Sequence, residues 1–239
     1  MPQTFPNSPW RDLSPAVYAL AALKLALHLA TNSNYGYFID ELYYLACAEH
    51  LDFGYVDHPP MVAWLAFLSR NLLSDSLPAL RLLPALAGTA VLLLAARIAR
   101  ELGGGAWAQT LAALGTLFAP VLLFTSTVYS MNIFDVLLCS LALLLILRLG
   151  RAEGPALGLW TQLGVVLGAG LLNKISVLFL GFGFAVALLA TPQRRRLLEA
   201  GPWLCGGIAL VLFAPHLLWQ QLHGWPLSYE KHGHIPHNS

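Results

Sequence analysis

Seven predominantly apolar stretches mark this chain, at 15–31, 82–99, 107–124, 128–147, 157–173, 175–190 and 203–220. A helix that crosses a bilayer needs about 20 apolar residues, because hydrocarbon offers no partner to free backbone groups. The pattern therefore predicts an all-α membrane protein with about seven transmembrane helices. Between the first two runs, positions 32–81 alternate polar and apolar character and are too long for a simple helix connection. Residues 41–50 read there as a short helix with Asp40 in a capping position. Residues 61–70 read as a second short helix lying at the membrane interface, with Trp64 and Phe67 toward lipid. Gly54 and the pair Pro59-Pro60 force turns between them.

Composition agrees with this pattern. Hydrophobic residues make up 57% of the chain and charged residues 10%, where a soluble domain carries roughly 25% charge. The net charge of +1 leaves no basic tract for nucleic acid, which is not an expected partner. Three cysteines at unrelated positions suggest neither a zinc site nor a disulfide framework. The first apolar run contains Lys24 and His28 and is followed by no small-residue cleavage site, so it reads as a retained helix.

Charge places the ends of the helices. With the N-terminus cytoplasmic, Arg11, Arg97, Arg100, Arg148, Arg151 and Arg194 to Arg196 lie inside; Arg70, Arg81, Lys174 and Lys231 lie outside. Arg81 and Arg97 are expected to snorkel to the interfaces. Asp40, Glu41, Glu49, Asp52, Asp57, Asp75 and Glu230 gather on the outer side, with most histidines. Acids contribute little to orientation, so their concentration points to an outward-facing polar site. Within the membrane, Lys24, His28, Asn132 and Asp135 are expected to face the bundle, with His28 and Asp135 as a structural pair.

Asp40-Glu41-Leu42-Tyr43-Tyr44 and Gly54-Tyr55-Val56-Asp57-His58-Pro59-Pro60 bring acidic groups to one face. One carboxylate there is suited to accept a proton from an acceptor, the other to hold a cation against a phosphate leaving group. A helix cap and a turn are the competing, purely structural roles.

The stretch 35–64, YGYFIDELYYLACAEHLDFGYVDHPPMVAW, resembles the first outer loop of bacterial membrane glycosyltransferases related to the dolichyl-phosphate-mannose protein mannosyltransferases. RLLPALAG at 81–88, LLNK at 171–174 and PHLLWQQLHGWP at 215–226 follow in matching order. The resemblance implies a multi-spanning C-type fold, shared with the aminoarabinose transferases that modify lipid A. It also implies transfer of a sugar from a polyprenyl-phosphate donor to a lipid, protein or glycan acceptor, with inversion at the anomeric centre. Asp40 takes the family's catalytic position. Asp57 takes that of a divalent-metal ligand, with His232 or His234 as its partner. Glu41, Tyr44, His58, Arg81 and Lys174 become the substrate-binding candidates, Lys174 toward the lipid phosphate. Tyr43 and His58 stand where aminoarabinose transferases carry a basic residue and a lysine, so the phosphate contacts differ. The spacing of His232, His234 and His237 matches no recognised zinc pattern, and solvated histidines are the alternative.

The expected setting is a bacterial plasma membrane with the active face outside. Positions 1–239 read as one transmembrane domain whose second outer loop begins near 221, with the downstream part of the family fold absent. A non-catalytic scaffold or a lipid or solute transporter is the alternative; a transporter calls for inverted repeats, and none is evident.

Overall fold

The computed structural model describes residues 13–226, and among these every regular element is helical. The helices are α1 (Pro15–Thr31), α2 (Ile39–Glu49), α3 (Met61–Leu72), α4 (Leu77–Glu101), α5 (Ala106–Phe118), α6 (Pro120–Thr127), α7 (Met131–Arg151), α8 (Leu157–Asn173), α9 (Val177–Ala190) and α10 (Ala200–Leu222), with a 3₁₀ turn at Pro192–Leu198 before the last. Each of the seven apolar runs falls on helix. By length and composition α4, α7 and α10 qualify as membrane spans, and up to five do if each bent pair counts as one. Helices α1 and α8 are apolar but shorter, at 17 residues each.

Proline sets both bends. The run 107–124 breaks by 62° between α5 and α6, and α9 turns by 104° into the 3₁₀ segment. Pro120 and Pro192 bring no N–H and push the residue before them out of the helical region. Ala119 and Thr191 accordingly stand extended at ψ 115° and 169°. Apolar continuity across Pro120 hides the first break from a hydropathy reading.

Side-chain volume sets the closest helix approach. A Cβ at Gly164 would lie 2.7 Å from the Cys205 carbonyl oxygen, and one at Gly168 would lie 2.7 Å from Leu212. Small residues four apart thus let α8 and α10 meet backbone to side chain, the usual route to tight packing in lipid.

Polar groups in the interior follow two patterns. Lys24, His28 and Asn32, four residues apart on α1, are all buried and share one face of the helix. His28 contacts the Thr127 hydroxyl, while the Asp135 carboxylate accepts two bonds from Ser176 at 3.0 and 3.1 Å. The expected His28–Asp135 pair is therefore replaced by two separate local partnerships. At the other end of α4, Glu101 collects Arg97, Arg148 and Arg151 at 3.1 to 3.3 Å. One carboxylate thereby ties the arginine-rich ends of α4 and α7 together.

Candidate active site

The site is built on α2, the loop 50–60 and the broken connection from α6 to α7. Helix α2 starts two residues earlier than a cap at Asp40 requires, at Ile39 with Phe38 as its cap. Its N-terminus is closed by Glu41, which accepts the Phe38 N–H at 2.8 Å. A carboxylate at the third helical position reaching back to an orphan donor is half of a capping box. Asp40 is thereby freed from capping and sits half-buried in the first turn.

Glu41 and Arg81 do not have the placement expected of substrate ligands. Both are buried, at 0% and 1% exposed. Arg81 Nε and Nη2 donate to the two Glu41 oxygens at 2.8 and 2.7 Å. Its remaining donors reach the carbonyls of Asn32, Tyr35 and Gly36 at 2.8 to 3.1 Å. Glu41 further accepts the Tyr129 N–H at 2.8 Å. Arg81 thus turns inward instead of snorkelling, because its forked donors match a carboxylate and three loop carbonyls at once. The result fastens the start of the outer loop, α4 and the α6–α7 break at one point.

Tyr129 extends the clamp by donating its hydroxyl to the Val62 carbonyl on α3. Around it Tyr44, Ala48, Val62, Ala66, Leu80 and Ile133 form one apolar core, which seats α2 and α3 on α4 and α7. Tyr44, expected to bind substrate, lies in this core at 5% exposure. Its phenol is pushed up by burial, then by the charges of Asp40 and Asp57.

Asp57 is exposed at its side chain and accepts a hydrogen bond from the Tyr43 hydroxyl. Burial, followed by this bond, holds the Tyr43 phenol above its usual range, so it stays a donor. Tyr43 lies three residues after Asp40, one helical turn along the same face.

His58 is fully buried rather than facing a substrate phosphate. Its ring is caged by Tyr43, Tyr44 and Tyr55 at 5.5, 5.3 and 4.9 Å between centroids. Nδ1 donates to the Pro59 carbonyl at 2.7 Å. Burial lowers its pKa below the ordinary histidine value of 6.5, against opposing pulls from Pro59 and Asp57. Protonating it costs more in the folded loop than in the open chain, so stability held above pH 6.5 is lost as pH falls through that value. Thermal stability in detergent should therefore drop between about pH 7.5 and about pH 5.5, and His58→Gln should flatten that drop. An equal drop in both proteins would refute this role.

Helix α10 closes the loop from above. His216 Nδ1 donates to the Phe53 carbonyl at 2.8 Å, and Trp219 stacks on His216 and on His223. A Cβ on Gly54 would lie 2.4 Å from the Trp219 ring and 2.8 Å from His216. The loop can pass under α10 only because residue 54 has no side chain. Gly54→Ala should lower thermal stability in detergent by the ~1–3 kcal/mol of an overpacked core, and unchanged stability would show that the rings move aside. The sequence singled out Gly54 only as a turn; its packing role needs the position of α10, 160 residues away.

Lys174 caps α8 at the same end, where its Nζ donates to Asn132 on α7 at 2.9 Å. Asn132, expected inside the bundle, is exposed there. His232 and His234 lie outside the described residues. Among the described residues no three His, Cys, Asp or Glu side chains stand together as a metal site.

With this geometry, the comparison with known families is decisive. The sequence model of the dolichyl-phosphate-mannose-protein mannosyltransferases matches residues 57–219. The chain belongs to this family. The match opens at Asp57 and closes at Trp219, spanning the acid and the aromatic lid described above, while Asp40 lies before it. The lipid A galacturonosyltransferase RgtD of Rhizobium johnstonii is 31% identical over 189 residues, 78% of this chain. The chain spans 39% of the length of that relative. No solved structure matches. Family membership and the apolar helices together make this a membrane protein of glycosyltransferase type.

Proposed function

We propose that this chain carries the active face of a membrane glycosyltransferase that moves a sugar from a polyprenyl-phosphate donor to an acceptor outside a bacterial plasma membrane. The observation that carries the reading is the hydrogen bond from Tyr43 to Asp57, one helical turn from Asp40, on a loop clamped by Arg81 and Glu41. The relative's printed name, a lipid A galacturonosyltransferase, adds weight to a lipid acceptor.

The acceptor oxygen attacks the anomeric carbon and the bond from that carbon to the phosphate oxygen breaks. The electron pair leaves with the polyprenyl phosphate, and the acceptor proton passes to the Asp40 carboxylate. One inversion at carbon follows from the single displacement. Asp40 suits this role because Glu41 has taken over capping, which leaves its carboxylate in the first turn without a structural duty. A general base of this kind contributes roughly 10²–10⁴ in rate. Lys174, steadied by Asn132, is proposed to face the lipid phosphate.

Asp57 offers one exposed carboxylate, too few ligands for a metal alone. Asp57 with His232 or His234 would hold a divalent cation, which supplies positive charge against the departing phosphate. The orientation proposed places the N-terminus in the cytoplasm, supported by the gathering of Arg97, Arg148 and Arg151 about Glu101 at the end of the bundle away from the clamp. Transfer of labelled sugar from polyprenyl-phosphate donors in membranes tests the activity; donor-dependent product supports it, and membranes that label no acceptor with any such donor reject it.

A further inference from the structure

At the end of α7 opposite the clamp, two neighbouring cavities open between α7, α8, α9 and α10. One holds about 160 Å³ and the other about 420 Å³, and Trp160, Phe184 and Leu188 wall both. The larger is within the roughly 300–1,000 Å³ of ligand sites and is lined almost wholly by apolar atoms. Glycine keeps it open: Gly181 on α9 and Gly206 and Gly207 on α10 face it, and a Cβ at any of them would meet nothing within 4 Å.

Three features at the mouth attract negative charge. Trp160 is 1% exposed, yet its Nε1 donor has no acceptor. The N-terminus of the 23-residue α10 lies beside it, with no side-chain cap on its first N–H groups; such an end carries a partial positive charge. Arg194, Arg195 and Arg196 project from the 3₁₀ turn, and Arg196 lines the smaller cavity. Arg196 is held by Gln193 and by the Ala152 carbonyl, and its Nη1 is buried without a partner. Two acids are near these arginines in the chain fold: Glu199, the residue before α10, and Glu153, next to the Ala152 that Arg196 holds.

We propose that this groove binds an anionic diacyl phospholipid, with an acyl chain along the glycine-lined cavity and the phosphate against the arginines and Trp160. A lipid is the occupant that combines an apolar body with one anionic end at a membrane surface, which matches apolar cavities beside a turn that carries three arginines, one of them in the wall of the smaller cavity. The site is separate from the transfer chemistry. The 21 residues of α7 put it about 30 Å from the clamp.

The test uses the purified full chain in detergent, stripped of lipid, with thermal stability followed as dioleoyl phosphatidylglycerol, dioleoyl phosphatidylcholine or inorganic phosphate is added. Phosphatidylglycerol should raise stability saturably, and the other two should not. The double variant Arg194→Gln/Arg195→Gln should bind phosphatidylglycerol about 25-fold more weakly, at about fivefold for each charge near an anionic headgroup. Gly207→Leu should fold normally, since the space beside it is open, and should lose the response by filling the groove. Equal stabilisation by phosphatidylcholine, or an undiminished response in either variant, would overturn the proposal. So would a concentration-dependent dimer abolished by Gly207→Leu without any lipid effect, which would assign the groove to a second copy.

Discussion

Arg81→Met should destabilise the protein by ~3–5 kcal/mol, the usual cost of leaving one member of a buried ion pair alone. The substitution keeps the aliphatic bulk of the side chain but strands the Glu41 carboxylate at 0% exposure, where no water can solvate it. It also orphans the carbonyls of Asn32, Tyr35 and Gly36, which the guanidinium now satisfies. Arg81→Lys should be only partly better, because a single ammonium cannot span two carboxylate oxygens and three carbonyls at once. A double Arg81→Met/Glu41→Met variant should recover part of the loss and no more, since the loop carbonyls and the Tyr129 N–H stay unpartnered. Melting in detergent reads all three. If Arg81→Met melted with the parent, the loop would have to be held by its apolar core alone.

Asp57→Asn should lower transfer by about 10²-fold or more while Tyr43→Phe lowers it by about tenfold, with both proteins folded. The ratio follows from the chemistry of the contact. Asparagine removes the charge itself, and general acid–base or cation-holding groups typically contribute roughly 10²–10⁴. Phenylalanine removes only a hydrogen bond to a charged acceptor, worth about 1.5 kcal/mol, or roughly a factor of ten. Tyr43 is a steady donor because burial and the neighbouring carboxylate keep its phenol protonated. A purely structural turn at Asp57 would give the opposite order, with neither change affecting turnover and both affecting melting.

The helices were legible because an apolar run long enough to leave water can do little but form helix, and all seven runs do. Their interruptions were not, where apolar residues continue on both sides of a proline, as at Ala119 and Pro120. The acids on the loop were visible as chemistry, yet their roles separated only in three dimensions. Asp40 and Glu41 are adjacent, and which of them caps α2 depends on Arg81, 40 positions after Glu41 and turned inward. His58 misled for a related reason. The resemblance suggested a substrate contact there, but three tyrosines at 43, 44 and 55 enclose the ring and leave it buried. The spacing of those tyrosines about the loop was the available signal. The aromatic lid had a signal too, in the 215–226 motif, but nothing local says that Trp219 lies over Gly54.

The most direct measurement is transfer of labelled sugar from polyprenyl-phosphate donors by membranes holding the protein or its Asp40→Asn variant at equal expression. Loss of transfer by about 10²-fold or more in the variant, with unchanged melting in detergent, is the expected result for a base that accepts the acceptor's proton. Equal transfer by both would remove Asp40 from the chemistry and contradict the account.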